Sequence, residues 1–181
     1  MLISQPYGLR TGIYLNYPIN PGANLRCADL EYADLFLVDL RRADLENANL
    51  RLITLEDADL SVANLSGAHL NGATLRGANL ERANLVNTNL ADVCFAGANL
   101  RGVNLSGAIL EAADLREAYL VGANLEGADL DSVELTGACF WGANLFLADL
   151  TKSTGIDTAD FTGAYMDPKL RDYILVHGGK A

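Results

Sequence analysis

The chain has 181 residues, of which 50% are apolar but only 7% aromatic, and its formal net charge is −10. This length suits one domain, whose core must be built from Leu and Ala rather than from aromatic rings. The negative charge disfavours direct nucleic-acid binding, because contacts to phosphates need clustered Lys and Arg.

Residues 1–22 are expected to form an N-terminal cap segment that shields an open strand edge. Pro18 and Pro21 break ladder hydrogen bonding there, and three tyrosines supply bulk. The segment has no basic stretch followed by an apolar one, so no secretory signal is expected. No part of the chain approaches 18 consecutive apolar residues, so no membrane-spanning helix is expected and the default location is cytoplasmic.

From Ala23 to Leu150 the sequence repeats every five residues without insertion or deletion. Each of the 26 units is centred on Leu, or on Phe at positions 95 and 140. Ala stands two residues before the centre in 20 units, and Asn or Asp stands one residue before it in 18. A period of five matches neither the helical period of about 3.6 nor the strand period of 2, so the pattern predicts a coiling chain.

Each unit is predicted to form a short side followed by a corner. The small residue and the centre are two apart, so in an extended segment both point inward while the Asn or Asp points outward. The second residue after the centre is Gly in 10 units, and Gly tolerates the positive φ of a type II turn. Repeated units therefore predict a solenoid with an apolar interior.

The variable positions indicate four sides in each coil. Asn precedes the centre at positions spaced by 20 or a multiple of 20, interrupted by Asp44: Asn24, Asn64, Asn84, Asn104, Asn124 and Asn144. Four units per turn predict a square cross-section in which residues 20 apart stack about 4.8 Å apart. The asparagines would then form an amide ladder of the kind that stabilises stacked strands.

These features resemble the pentapeptide repeat family over roughly residues 23–166. The A(D/N)LXX motif is highly specific when 26 units follow one another without interruption. The resemblance implies an all-β fold, a right-handed quadrilateral parallel β-helix, here with about seven coils and a short C-terminal capping α-helix. In that family the central Leu or Phe and the small residue two before it face inward, as the spacing here also predicts.

After the last regular unit the register slips by one residue, and the extra residue is expected near residues 151–155. Residues 167–181 are predicted to form a C-terminal helix and tail. Asp167 is the expected N-cap, Pro168 the first helical residue and Gly178 the stop. One face of this helix is expected to cover the last coil: Leu170, Tyr173, Ile174 and His177.

The four sides, named by their first centres as the Leu25, Leu30, Leu35 and Leu40 sides, differ in charge. Their net charges are −2, −5, −4 and +1, so the Leu30 and Leu35 sides together form the candidate acidic surface. It is either a docking surface for a basic partner or simply charge that keeps a Leu- and Ala-rich rod soluble. Its carboxylates are Asp29, Glu31, Asp34, Glu56, Asp57, Asp92, Glu111, Asp114, Glu117, Asp129, Asp131, Glu134 and Asp149.

Outward apolar residues near the C-terminal end form the candidate apolar contact patch: Tyr119, Val121, Trp141, Phe146 and Leu147. Large exposed apolar patches mark contacts, so the patch is either an interface for a second copy or partner, or a surface that the C-terminal helix covers. A smaller group near the N-terminal cap is expected to be covered by that cap: Phe36, Leu37 and Leu52.

No catalytic residue, metal ligand or cofactor site is expected. The three cysteines fall on three different sides in the first, fourth and sixth coils, and the two histidines lie far apart, so no metal-ligand cluster forms. An odd number of cysteines gives no disulfide framework. Without a cleft to desolvate them, neighbouring carboxylates are expected to be solvated, and an enzyme is not expected.

The sequence favours a non-catalytic structural or protein-interaction rod that presents an acidic half-shell to a protein partner. The family resemblance implies an alternative, because some members are DNA mimics that bind DNA gyrase or topoisomerase and inhibit it or protect it from quinolones. A homodimer through the C-terminal end would suit that role. This chain lacks the loops that several gyrase-protecting members insert between coils, and its regular motif is similar to many cyanobacterial members.

Overall fold

A computed structural model describes residues 18–181 of the chain. Across this range the backbone pairs through single-residue parallel bridges rather than through longer strands. The bridges join residues twenty apart in an unbroken series, from Asn24↔Asp44 to Glu134↔Thr154. Four pentapeptides therefore make one coil, and the architecture is a quadrilateral parallel β-helix. The number of coils, about seven from the sequence, stays a prediction.

Backbone hydrogen bonds join each unit to the next coil and close each corner. The Leu25 N–H donates to the Asp44 carbonyl at 2.7 Å, and the Asp44 N–H donates to the Ala23 carbonyl at 2.9 Å. At the corner, the Ala28 N–H donates back to the Leu25 carbonyl at 3.0 Å. A bond from the fourth residue to the first, with positive φ at the third, is the pattern of a type II turn.

Every one of the 26 corner residues from Cys27 to Lys152 has a positive φ, and 16 of them are not glycine. Val62, at φ 61°, is a β-branched residue in this left-handed region. The left-handed conformation costs an L-residue about 1–2 kcal/mol because Cβ approaches the following carbonyl. The ladder and the core therefore impose the corner geometry against the local preference of these residues.

The core is a set of stacked columns of centres and small residues. Every centre from Leu25 to Leu150 is at most 1% exposed. Burial of each Leu contributes about 1.5–3 kcal/mol before conformational entropy is counted. Thr88 replaces Ala at a buried small position, and its hydroxyl donates to the Leu65 carbonyl at 3.0 Å, so the buried hydroxyl is satisfied.

The outward Asn and Asp residues accept hydrogen bonds from the backbone just after the centre. Asn24 Oδ1 accepts from the Arg26 N–H at 3.2 Å, and Asp59 Oδ1 accepts from the Ser61 N–H at 2.9 Å. These side chains mimic a backbone turn, which gives a physical reason for Asn or Asp at this position. The predicted amide ladder is also present, for example from Asn84 Nδ2 to Asn64 Oδ1 at 3.0 Å.

The register changes once, near the C-terminal end. The bridges Cys139↔Asp160 and Asn144↔Tyr165 span 21 residues, whereas the bridge to Thr154 still spans 20. The extra residue lies between Thr154 and Asp160, in a wider corner where the Ala159 N–H donates to the Gly155 carbonyl at 3.1 Å. The corner at 151–152 is regular, so the slip comes one corner later than the segment 151–155 expected from the sequence. A Cβ on Gly155, whose φ is +74°, would lie 2.3 Å from the backbone nitrogen of Thr136, so this corner requires glycine.

The predicted C-terminal helix is present as α1, Pro168–Val176. Asp167 is its N-cap and accepts from the Leu170 N–H at 3.0 Å, and the positive φ of Gly178 ends the turn that follows. The nine residues of α1 are followed by a tail in which the Lys180 carbonyl accepts from the Phe161 N–H at 3.1 Å. In the described part of the chain, no helix is long and apolar enough to cross a membrane.

Helix α1 packs on its own chain through Leu170 and Ile174, which are buried, and Tyr173, which is half-buried. The expectation that His177 covers the last coil is wrong, because this residue is exposed. His177 is the C-cap, where its Nδ1 lies 2.8 Å from the Tyr173 carbonyl and its ring lies 4.1 Å from the Tyr173 ring.

The predicted N-terminal cap falls mostly outside the described residues. Its last residues already follow the repeat backbone, since the Ala23 N–H donates to the Asn20 carbonyl at 3.1 Å. Gly22 has a φ of 72°, and its N–H donates to the Arg41 carbonyl at 2.8 Å. The corner pattern therefore starts one unit before Leu25, with Asn in place of the central Leu.

Candidate interaction surface

The acidic residues of the Leu30 side concentrate in its C-terminal half. Asp129 and Asp149 form a bridge in one outward column, and Glu111 and Asp131 stand in the next column. Lys152 Nζ lies 3.1 Å from Asp131 Oδ2, an ion pair that raises the lysine pKa. Like charges are therefore stacked along this half of the side with little cationic compensation.

Local hydrogen bonds orient two of these carboxylates and favour the ionised form of Asp149. The hydroxyl and the N–H of Thr151 both donate to Asp149 Oδ1, which lowers the pKa of Asp149. Asp129 Oδ1 accepts from the Asp131 N–H at 3.0 Å, whereas the buried Oδ1 of Asp131 has no hydrogen-bond partner within residues 18–181. Hydrogen bonds to the charged form offset part of the repulsion between stacked carboxylates.

The Leu35 side also carries stacked acidic residues, since Asp114 and Glu134 form a bridge. Arg116 Nε and Nη2 donate to Asp114 at 2.8 and 2.7 Å, and these bonds lower the pKa of Asp114. Glu134 accepts from the hydroxyl of Thr136 at 2.5 Å and from its N–H at 2.9 Å, and its pKa is lowered too. Each of these carboxylates is held in one orientation by its neighbours.

Nine of the thirteen carboxylates of the acidic surface have no ion-pair partner in the described part of the chain. The four pairs are Glu31–Arg51 at 3.9 Å, Glu56–Arg76 at 3.9 Å, Asp114–Arg116 at 2.7 Å and Asp131–Lys152 at 3.1 Å. On the Leu40 side, by contrast, Arg41 contacts both Asp39 and Asp59, at 2.6 and 3.8 Å. Most of the negative charge of these two adjacent sides therefore lacks an ion-pair partner within residues 18–181.

The apolar contact patch is open to solvent at three of its five residues. Tyr119, Trp141 and Leu147 are 52%, 58% and 64% exposed, so α1 does not cover them. Val121 and Phe146 are half-buried.

Sequence reasoning missed Tyr165, which extends this patch. Its ring stacks on that of Phe146 with centroids 5.7 Å apart, and it is 63% exposed. The register after the slip carried the signal, because Tyr165 stands one residue before the new centre, Met166, and so points outward.

The smaller apolar group near the N-terminal end is also exposed. Phe36, Leu37 and Leu52 are 47%, 62% and 45% exposed. The expectation that the N-terminal cap covers them falls on residues 1–17, outside the described residues, and stays a prediction. These residues occupy outward and corner positions, where the backbone directs side chains away from the core. Tyr32 and Val62, 52% and 54% exposed, belong to the same end and were missed, although bulky residues at corners that favour Gly were visible in the sequence.

No group of three His, Cys, Asp or Glu residues that could hold a metal ion occurs within residues 18–181. The three cysteines are free thiols on separate sides: Cys27, Cys94 and Cys139. The described surface therefore offers charge and apolar contacts rather than a ligand set.

Comparison with known proteins identifies the repeat. The family model of pentapeptide repeats matches residues 39–77, 68–107 and 113–151, with eight copies. HetL, a pentapeptide repeat protein involved in heterocyst differentiation regulation in the cyanobacterium Nostoc sp. strain PCC 7120, is 33% identical. The match covers 81% of this chain and 69% of HetL, with a TM-score of 0.42.

Two further solved structures are similar. Rfr23, a pentapeptide repeat protein from the cyanobacterium Cyanothece 51142, is 38% identical over 60% of this chain and 64% of its own, with a TM-score of 0.33. QnrB1, a plasmid-mediated fluoroquinolone resistance protein, is 20% identical over 88% of this chain and 85% of its own, with a TM-score of 0.48. No curated protein sequence matches the chain.

Proteins of the matched family are right-handed quadrilateral β-helices and are generally non-catalytic structural repeat proteins. The spacing of twenty between bridged residues agrees with that architecture. The interior columns and the corners of this chain follow the same five-residue unit from Ala23 to Leu150. The chain belongs to the pentapeptide repeat family.

Proposed function

We propose that this protein is a non-catalytic interaction rod whose Leu30 and Leu35 sides bind a basic protein partner. The observation that carries the proposal is the set of nine carboxylates on these sides that lack an ion-pair partner within residues 18–181. A partner that supplies Lys and Arg side chains would compensate this charge, and its approach would be steered by the field of the two sides.

The asymmetry of the charge supports docking over solubility alone. Charge spread evenly over four sides would keep the rod equally soluble, yet the Leu40 side has a net charge of +1 and the Leu30 side −5. The acidic side chains stand on a backbone fixed by ladder bonds every five residues, so binding orders little of the chain. A preorganised surface loses less entropy on association.

The proposal is tested by affinity capture with the full-length protein and two matched variants. The first variant carries Asp92→Asn, Glu111→Gln and Asp129→Asn on the Leu30 side. The second removes the same number of charges from the Leu40 side, through substitutions at three positions: Asp39→Asn, Asp59→Asn and Glu81→Gln. We expect a basic partner that the wild-type protein and the second variant retain and that the first variant loses.

Salt provides an independent readout of the same experiment. A partner held by exposed charges is released as the Debye length shortens from about 8 Å at physiological salt to about 3 Å at 1 M. A partner that the first variant retains, or that resists high salt, would contradict the proposal.

A second candidate is a DNA mimic that binds DNA gyrase or topoisomerase. The observation in favour is again the density of carboxylates on two adjacent sides of a straight rod, which imitates the charge of a duplex. A supercoiling assay with purified gyrase, with and without a quinolone, separates the two candidates. If supercoiling does not change at micromolar protein, the DNA-mimic candidate is excluded.

The apolar contact patch is the proposed surface for a second copy of the chain at the C-terminal end. The exposure of Tyr119, Trp141 and Leu147 beside Tyr165 supports this, because large apolar side chains at one end favour association. Light scattering should show a dimer that Trp141→Ser converts to a monomer, whereas a wild-type monomer would refute it. The cytoplasmic location expected from the sequence stays a prediction.

A further inference from the structure

An open groove of about 520 Å³ runs along the Leu35 side near the N-terminal end. Its floor is the outward column of Asp34, Thr54 and Thr74, which the bridges Asp34↔Thr54 and Thr54↔Thr74 stack along the axis. Tyr32 and Leu52 form one wall at the corner. The opposite wall consists of Phe36 and Glu56.

The walls combine apolar surface with backbone strain. Tyr32, Phe36 and Leu52 are 52%, 47% and 45% exposed, so these large side chains gain little from burial against residues 18–181. Tyr32 and Leu52 also occupy left-handed corners, with φ of 61° and 54°, where glycine would be cheaper. Because all 26 corners share this conformation, the bulk and exposure of these side chains, rather than the strain, point to a role in binding.

The floor and one wall supply carboxylates. Asp34 accepts one hydrogen bond, from the Phe36 N–H at 3.3 Å, and has no ion-pair partner in the described part of the chain. Glu56 has only a long contact, 3.9 Å from its Oε1 to Arg76 Nε. The groove thus offers two carboxylates between aromatic and aliphatic walls.

We propose that this groove binds an Arg or Lys side chain presented by an extended segment of a partner protein. This proposal rests on the proposed function and identifies the residues that contact the partner. The aliphatic stem of such a side chain would lie between the wall of Tyr32 and Leu52 and the facing Phe36, and its cation would reach Asp34 and Glu56. The faces of Tyr32 and Phe36 add a cation–π contribution. A polypeptide is the fitting source because the apolar surface continues beyond the groove to Leu37, 62% exposed, which a flanking apolar residue would contact.

The test titrates the isotope-labelled full-length protein with the blocked peptide acetyl-Leu-Ala-Arg-Ala-Leu-amide and follows amide NMR shifts. We expect saturable shifts at the groove residues, and at least a fivefold loss of affinity in Asp34→Asn and in Tyr32→Ala. Asp39→Asn is the matched control, because Asp39 stands in the outward column of the Leu40 side, outside the groove and the acidic surface, and is paired with Arg41. Its affinity should stay within twofold of the wild type.

Three outcomes would overturn the proposal. Shifts confined to the C-terminal half of the Leu30 side would leave the proposed function standing but remove this groove as the contact. If spermidine binds as tightly as the peptide, the ligand of the groove is a free polyamine rather than a polypeptide. Arg10 is the one basic side chain of residues 1–17. Peptide-induced groove shifts seen only in the variant Arg10→Gln would therefore replace the partner by the chain's own Arg10 as the source of the cation. Circular dichroism checks that every variant is folded.

Discussion

The Leu25 and Leu35 sides share one backbone and one core, yet their outward residues behave differently. On the Leu25 side the column of amides bonds to itself in two runs. The bonds are Asn64 Nδ2 to Asp44 at 3.1 Å, Asn84 to Asn64 at 3.0 Å, Asn124 to Asn104 at 3.2 Å and Asn144 to Asn124 at 2.9 Å. This side uses its polar groups to stabilise the stack.

The equivalent column of the Leu35 side is chemically mixed and bonds less to itself. Thr54 and Thr74 donate to no side chain within residues 18–181, and Asp34 accepts only from the backbone N–H of Phe36. The shared core therefore fixes the stacking of the coils equally on the Leu25 and Leu35 sides. The outward column then decides whether a side is satisfied internally or is free to bind.

The largest expected effect comes from the core that both sides share. Leu85→Asp buries a carboxylate at a position that is 0% exposed, at a cost of several kcal/mol, about 4 or more. Circular dichroism should show loss of the native spectrum or a collapse of the melting transition. Asn87→Asp, at an exposed corner two residues on, is the control and should melt like the wild type. An unchanged spectrum and melting curve for Leu85→Asp would contradict the placement of Leu85 in the core.

The difference between the two columns predicts the next effect. Asn124 donates to Asn104 and accepts from Asn144 and from the Glu126 N–H, so Asn124→Ala should lower the free energy of unfolding by about 1–2 kcal/mol. Thr74→Ala on the Leu35 side should change it by less than about 0.5 kcal/mol. Urea unfolding measures both. Equal losses would show that the two columns do not differ in their structural role.

Corner geometry, which all sides share, should give a smaller effect of opposite sign. Val62→Gly relieves about 1–2 kcal/mol of left-handed strain in the folded state. It also raises the conformational entropy of the unfolded chain, which costs about 0.5–1 kcal/mol on folding. The free energy of unfolding should therefore rise by about 0.5 kcal/mol. The reverse change, Gly122→Val, meets no atom within 4 Å of the new Cβ and should be destabilising through φ alone. Destabilisation by Val62→Gly would mean that Val62 packs in a way its 54% exposure does not suggest.

The smallest effect concerns pH and the Asp114–Arg116 pair of the Leu35 side. The folded pKa of Asp114 lies below its ordinary 3.8 because Arg116 donates to it. The pair's stabilisation is therefore present above that ordinary value and is lost as the pH falls through the folded pKa. The Tm difference between the wild type and Arg116→Gln should be constant from about pH 7 to 5 and shrink below about pH 4. A difference that grows in acid would reverse the assigned sign.

Much of the fold was predictable because the repeat is so regular. The unit length, the inward Leu and Ala, the type II corners, the four-sided coil and helix α1 all follow from spacing and turn chemistry, and the structure agrees with each. The role of His177 was not predictable, because one helical turn at a C-cap decides whether a ring faces the coil or solvent. Whether a cap covers Phe36 and Leu52 depends on residues 1–17, which lie outside the described residues, so that expectation stays a prediction.

The sequence by itself determined the coil, its four sides and the uneven distribution of charge among them, because a fixed five-residue unit leaves the chain one register. Only the tertiary structure decided which polar groups satisfy one another. Stacking brings residues twenty apart into contact, and small differences in side-chain length and orientation then settle the outcome. That is why the asparagines of the Leu25 side bond to one another while Asp34, Glu56 and Tyr32 line an open groove.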